Sequence, residues 1–240
     1  MGSDIWDPTP TVRRARYWKE KVTQLRELMR TGKVLDVGCY TAAFLQEMGP
    51  NYERWGIELS EAAAAVATSR GVHVLRGSVE SLDDLDETFD MVLAFDVLEH
   101  VHDQHALASR LARWVKPGGY LVVETGNARS LHARLMGSRW SYLAIDEHLV
   151  AHSPESLSLL LDQHGFSCIH LTLQPHHHPL NYRFQVKQFL RMCRHRVVTA
   201  AIDVARQLAH NDSIAQTAWL KASPFYLGKD HLWSIFQRTR

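Results

Sequence analysis

The chain has 240 residues, 45% of them apolar, with 27 Lys or Arg against 26 Asp or Glu. That length supports one α/β domain with a large core and is too short for two domains of ordinary size. The near balance of charge excludes a global field that would draw the protein onto nucleic acid or an anionic membrane, leaving only local basic patches.

Residues 1–10 contain two prolines and little periodicity, so they read as an irregular arm with Trp6 as an anchor. They carry no basic-then-apolar leader, and no run reaches the length of a membrane span. The expected compartment is therefore the cytoplasm. Cys39, Cys168 and Cys193 agree with this, being too far apart for paired metal ligands or an iron–sulfur site and expected as reduced thiols. From Thr11, the residues Ala15, Trp18, Val22, Leu25 and Met29 form one apolar stripe on a helix ending near Gly32. Tyr17, Trp18 and Lys21 could reach a ligand, although aromatic packing beside a solvated cation is the simpler expectation. Tyr17 and Lys21 have the Tyr-x-x-x-Lys spacing of a reductase pair but precede the nucleotide strand, the wrong order for that role.

Lys33 to Leu45 is a short apolar run holding Asp36, a bend at Gly38, and then Ala42, Leu45 and Met48 at helical spacing: strand, loop, helix. In an open parallel sheet this corner binds nucleotides, and a glycine there lets the backbone approach the ligand. About twenty residues later, Arg54 to Leu59 forms a second strand that ends in Glu58, an acid placed to accept hydrogen bonds from both ribose hydroxyls. A pyrophosphate would need more glycines where Tyr40 and Ala42 stand, so the nucleotide need not be NAD. Ser60 caps a helix through Ala62, Ala65 and Val66 that stops at Gly71, and Val72 to Leu75 is a third strand leading to Gly77-Ser78-Val79-Glu80. Phe89 to Phe95 is apolar on both faces after its leading acid, as in a central parallel strand, and Asp96-Val97-Leu98-Glu99-His100 opens on the cleft. A helix through Leu107, Leu111, Trp114 and Val115 turns at Pro117-Gly118-Gly119 into the strand Tyr120 to Glu124.

Leu35-Asp36-Val37-Gly38-Cys39 resembles the first motif, LDVGCGTG, of class I S-adenosylmethionine (SAM) dependent methyltransferases. Glu58 matches that family's ribose-binding acid, Phe89 to His100 (FDMVLAFDVLEH) its fourth-strand motif, and Lys116-Pro117-Gly118-Gly119 the turn before its fifth strand. The four motifs stand in the family's order across roughly residues 30–174, and the resemblance resumes at the C-terminal strand. The motifs look like those of ubiquinone-biosynthesis methyltransferases. The resemblance implies an α/β, doubly wound, seven-stranded, mostly parallel sheet, with SAM as cofactor and S-adenosylhomocysteine as product. It implies a cofactor site of Asp36, Gly38, Tyr40, Glu58, Leu59, Ser78, Val79, Glu80, Phe95 and Asp96. Ser78 replaces the family's adenine-side acid, so that contact shifts to Glu80 or to backbone. Tyr40 and Ala42 depart from the glycine-rich pattern, which predicts a tighter or differently shaped methionine side.

Residues 125–152 form a long connection on the side of the sheet that usually carries substrate residues, with Trp140, Tyr142, Asp146, Glu147 and His148. Glu147-His148-Leu149 before Ser153-Pro154-Glu155-Ser156-Leu157 resembles a segment of small-molecule methyltransferases. Ser153 is an N-cap, Pro154 the first helical residue, and Gly165 the stop. Phe166 to Leu173 is the next strand, and His231 to Phe236 the last, which the family inserts antiparallel between two others. Expected substrate residues are Tyr17, Trp140, Tyr142, His148 and His152. For a hydroxyl acceptor, His148 is the first choice of base, with His100 second and His152 behind them; as a packing element His100 is about equally well explained. Oxygen is the first-choice acceptor, in a sugar, secondary metabolite or quinone-like compound, with carbon and nitrogen left open.

No metal ligand is assigned. A divalent cation on Asp146, Glu147 and Asp96 ranks below the histidine base, and His176-His177-His178 alternate sides on extended backbone and do not converge on one ion. The chain reads as a single domain of 1–240: arm and helix (1–30), SAM-binding core (31–174), helical insertion (175–224) and C-terminal strand (225–240). The insertion is basic and amphipathic, a packing layer first, and otherwise a lid, a homodimer contact or a membrane-surface contact. No Asn-Pro-Pro-Tyr type segment follows the fourth strand, which with the balanced charge argues against a nucleic-acid substrate. The competing readings are a non-catalytic SAM-binding subunit and a nicotinamide-dependent oxidoreductase.

Overall fold

The computed structural model describes residues 12–82, 85–137, 140, 142, 143, 145, 147–174, 194 and 230–239. Almost all of the anticipated insertion at 175–224, the His176–His178 triplet, Trp6, Asp146 and Cys193 lie outside them. Helix α1 (Val12–Leu28) precedes β1 (Gly32–Val37), α2 (Ala43–Met48), β2 (Tyr52–Glu58), α3 (Glu61–Ser69) and β3 (His73–Arg76). There follow β4 (Phe89–Phe95), a 3-10 turn (Leu98–His100), α4 (Gln104–Trp114), β5 (Val115–Gly126), α5 (Leu131–Met136), α6 (Pro154–Asp162), β6 (Phe166–Gln174) and β7 (His231–Arg238).

These strands form one sheet in the order β3-β2-β1-β4-β5-β7-β6. Pairing is parallel from β3 to β5, and β7 lies antiparallel to both β5 and β6, as the last strand was expected to do. The central strands are buried on both faces. Leu107, Leu111, Trp114, Leu157 and Leu161 from α4 and α6 pack on one face, and Val22, Leu25, Phe44, Leu45 and Met48 from α1 and α2 on the other. This double covering explains why β4 is apolar at successive positions instead of alternating.

Local chemistry sets the boundaries. Ser60, Asp103 and Ser153 cap α3, α4 and α6 through hydrogen bonds accepted from the amides of Ala63, Ala106 and Ser156, and Ser153 with Ser156 completes a capping box behind Pro154. The Pro117-Gly118-Gly119 turn is present, but as an irregularity inside a longer strand: Phe89 pairs with Val115 and Met91 with Tyr120, so residues 116–119 bulge out between them. The connection at 125–152 holds the short helix α5, which the apolar spacing does not announce.

One expectation is corrected. Lys21 is not a solvated cation: it is 5% exposed, paired with Glu124 of β5, with its Nζ 4.0 Å from the ring centroids of both Tyr17 and Trp233. Tyr17 donates to Glu124 Oε1, and Gln174 Nε2 donates to Tyr17 Oη at 2.7 Å. Burial pulls Lys21 down to about 8 against the attraction of Glu124. Burial alone would raise Glu124, but the Lys21 charge and the hydrogen bonds from Lys21 and Tyr17 outweigh it and hold the carboxyl below its ordinary value. The two shifts oppose one another in stability, so the pair serves chiefly to seat α1 over the carboxyl end of the sheet.

Lys21→Met, which strands the Glu124 charge, is expected to cost about 3–5 kcal/mol in urea unfolding. The double variant Lys21→Met/Glu124→Gln is expected to recover most of that loss, which a merely additive pair of substitutions would not do.

Candidate functional site

The carboxyl ends of β1, β2, β4 and β5 share one edge of the sheet and bring together the predicted cofactor residues. Gly38 turns the chain with φ of 73°, and the amides of Gly38 and Cys39 both donate to Ile57 O at 2.9 and 3.0 Å. Tyr40 and Ala42, where the family pattern has glycine, adopt φ of 49° and 57°, so the loop keeps a glycine-type path with side chains attached. Glu58, at the end of β2, clamps this loop: Oε2 accepts from Tyr40 N at 2.9 Å and Oε1 from Ser60 N at 2.7 Å. Each oxygen retains acceptor capacity for a hydroxyl. Gly56 is required beneath, because a Cβ there would stand 2.3 Å from Cys39 Sγ.

Leu59 is 69% exposed beside Glu58, and Val79 is buried. The Ser78 hydroxyl accepts from Ser81 N at 3.2 Å, closing its own turn, and Glu80 is exposed. Phe95 is half-buried and meets Phe44 and Trp233 edge-on or tilted. Asp96 leaves β4 with φ of 52°, a conformation sparsely used by non-glycine residues and common where strain is held at a site. Its amide donates to Glu124 O at 2.9 Å, and His231 Nε2 lies 3.8 Å from Oδ1, which is enclosed without a hydrogen-bond partner. Burial, then the Glu124 and Glu99 charges, hold the Asp96 carboxyl above its ordinary value, although 39% of its side chain opens to the recess and moderates the effect. Enclosed in β1, Asp36 is pushed up to about 8 by burial and then by Glu58. Two carboxyls held above their ordinary range, one with an orphaned oxygen, would be relieved by a cationic guest such as a sulfonium bearing an ammonium group, which favours their ionised form.

Next to this recess stands a second polar centre. Glu99 is fully buried in the turn after β4; Oε1 accepts from Tyr142 Oη at 2.7 Å and Oε2 from Thr125 Oγ1 at 2.9 Å. Tyr142 Oη in turn accepts from Gly126 N at 2.8 Å, and its ring occupies the space a Gly126 Cβ would take, the nearest ring atom being 2.3 Å from that point. Burial and then Glu99 keep the Tyr142 phenol protonated. Trp140, 3% exposed, stacks on Tyr142 at 4.8 Å, so the two aromatics expected to touch substrate form a buried wall. His148 packs on Tyr142 at 4.3 Å and on His100 at 4.6 Å. Leu149 N donates to Glu99 O at 2.7 Å, which fixes the loop carrying His148 beside the turn carrying His100. Burial lowers the His148 imidazole below its ordinary value, against the opposing Glu99 charge. His152 is buried away from this pair and bonds Gln104 Oε1 through Nε2 at 3.0 Å. Tyr17, on the buried face of α1, is committed to Glu124.

Glu99, Glu124, Asp230 and His231 were not singled out from the sequence. For Glu99 and Glu124 a signal existed: like Asp36 and Glu58, each is an acid at or just beyond the end of an apolar strand. His231 is raised, since the bond to Asp230 and the Asp96 charge outweigh its burial.

Strand order and nucleotide corner define the class I SAM-dependent methyltransferase fold. The chain belongs to that family: a family model described as "Methyltransferase domain" matches residues 12–171. A demethylmenaquinone methyltransferase from Bacillus cytotoxicus is 28% identical over 130 residues, covering 50% of this chain and 55% of that protein. A ubiquinone biosynthesis O-methyltransferase from Alkalilimnicola ehrlichii is 36% identical over 103 residues, covering 40% and 42% respectively. The chain thus spans about half the length of these curated relatives. The N-methyltransferase NodS from Bradyrhizobium japonicum, solved with S-adenosyl-L-homocysteine, superimposes with a TM-score of 0.58 at 16% identity, over 100% of this chain and 94% of that one, a likeness of fold.

Binding of SAM at neutral pH is expected to expel protons from Asp36 and Asp96, giving a calorimetric enthalpy that changes with the ionisation enthalpy of the buffer. Asp36→Asn and Asp96→Asn should each reduce the number released; a buffer-independent enthalpy in the unsubstituted protein would contradict this account.

Proposed function

We propose that this protein is a SAM-dependent methyltransferase that methylates a hydroxyl of a small molecule, of sugar, secondary-metabolite or quinone-like type. The observation that carries the reading is the adjacency of two centres on one sheet edge: carboxyls suited to a cationic donor, and the His148–His100 pair held over Glu99. Both relatives named above act in quinone biosynthesis by their names, and one is an O-methyltransferase. The nicotinamide reading gives way to the family membership. We read the setting as cytoplasmic, and 1–240 as one domain with 31–174 as the donor-binding core.

The donor brings a methyl group already activated by its positive sulfur. The protein's task is alignment and exclusion of water. Glu58 orders the loop around the ribose, and Asp36 and Asp96 face the cationic end. The wall of Trp140 and Tyr142 closes the acceptor side, and α1, seated by Lys21 and Glu124, closes the end of the sheet. The centre built from His148, His100 and Glu99 is where the acceptor hydroxyl loses its proton, His148 being the primary group.

Incubation with SAM and a panel of catechols, hydroquinones and sugars should yield a methyl ether detectable by mass spectrometry. Glu58→Ala should weaken SAM binding by ~10–100-fold, as expected for losing charge-assisted hydrogen bonds. His148→Ala should lower turnover by ~100-fold or more with SAM affinity unchanged. Tight SAM binding with no methylated product across oxygen, nitrogen and carbon acceptors would replace this reading by that of a non-catalytic SAM-binding subunit.

A further inference from the structure

His231 opens β7 between two carboxyls. Its Nδ1 lies 3.4 Å from Asp230 Oδ1 and its Nε2 3.8 Å from Asp96 Oδ1, and the side chains of His231 and Asp230 are each 2% exposed. We propose that Asp230 and His231 form a positioning pair that turns the Asp96 carboxylate toward the donor and supplies the positive charge behind it. The inference rests on the reading that Asp96 faces the donor's cationic end.

Three observations carry it. The first is the orientation of the ring: each nitrogen faces a carboxylate oxygen, and only the imidazolium has a proton to direct toward both. The second is that the pair is built into the sheet. Asn127 N donates to Asp230 O at 2.7 Å, His231 pairs with Gly126 of β5 and Gln174 of β6, and the Tyr142 ring stands edge-on to the imidazole at 5.7 Å. The third is Asp96 itself. Its left-handed backbone and the bond from its amide to Glu124 O fix where the carboxyl leaves the chain. Oδ1 is enclosed on the His231 side while 39% of the side chain is open, so the second oxygen is the one turned to the recess.

The surrounding charges give the pair its task. Burial first, then Glu124 of β5 and Glu99 in the turn after β4, disfavour ionisation of Asp96, whereas His231 of β7 and Lys21 of α1 favour it. Lys21 is committed to Glu124, so among the described residues the cation in ion-pair range of Asp96 is His231. His231 in turn meets Asp230, Asp96 and Glu124, whose attraction outweighs its burial and raises it. The ring is buried behind the carboxyl, so a cationic donor meets the carboxylate and not the imidazolium.

The test is calorimetric binding of SAM to the full-length chain from about pH 6 to about pH 9, a range that spans the ordinary histidine value. Without the imidazolium, Asp96 ionises at higher pH. His231→Gln should therefore weaken SAM roughly 10-fold near neutral pH, the equivalent of one unit of Asp96 titration, release more protons per SAM bound, and regain affinity as the pH rises. KM for SAM should change more than kcat. Asp230→Asn should shift binding the same way by less, and should add nothing in the His231→Gln background, because it acts through the ring. Melting curves show which variants fold, and Asp230→Asn, which keeps the shape of the side chain, carries the test if His231→Gln does not. A loss of affinity equal at every pH would mark a packing role and overturn the pair, as would a fall in kcat with SAM affinity unchanged. Asp96→Asn separates two failures: if it weakens SAM and His231→Gln does not, the pair falls and the donor reading stands. If neither substitution affects SAM, both fall.

Discussion

The burial of acidic side chains gathered at one edge of the sheet is the constraint on which the rest of this molecule depends. A parallel sheet delivers the C-terminal ends of its strands to the same edge, and here those ends contribute Asp36, Glu58, Asp96, Glu99 and Glu124. Each is relieved differently. Glu58 takes two backbone amides, Glu124 takes Lys21 and Tyr17, and Glu99 takes two neutral hydroxyls. Asp36 and Asp96 have no such donors, and burial followed by the neighbouring acids holds both above the ordinary carboxyl range. The acids already satisfied build the loop and seat the helix; those left wanting positive charge are the ones we propose face the cationic donor.

Much of this architecture was legible in the sequence because its signals are local. The β4 segment reads as a central strand from its apolar run, Ser60 and Ser153 read as caps from residue type and position, and Gly38 and Glu58 stand at a spacing set by one strand–helix–strand unit. What could not be read is what depends on distant partners. Lys21 looks like a solvated helix cation until Glu124, 103 residues away, is brought beneath it. Tyr142 looks like a substrate contact until its hydroxyl is found between Glu99 and the Gly126 amide, 43 and 16 residues off. His100 and His148 were both chosen as chemical residues, but their common neighbour Glu99 was passed over, since an acid beside a histidine has no distinctive spacing.

The departures from glycine in the first loop show how the same interactions hold strain. Tyr40 and Ala42 occupy left-handed backbone, which costs a residue with a Cβ roughly 1–2 kcal/mol. Burial of Ala42 and Phe44 in the core beneath α1 offsets part of that cost, and the Tyr40 amide is committed to a buried carboxylate. A relaxed loop at Tyr40 would forfeit that bond and leave Glu58 with less to offset its burial. The glycine path is therefore retained without the glycines, because the acid at the end of β2 holds the loop from below. Glu58 and the loop are thus one device: the acid we propose for the ribose shapes the cradle through its amide contacts and keeps lone pairs in reserve.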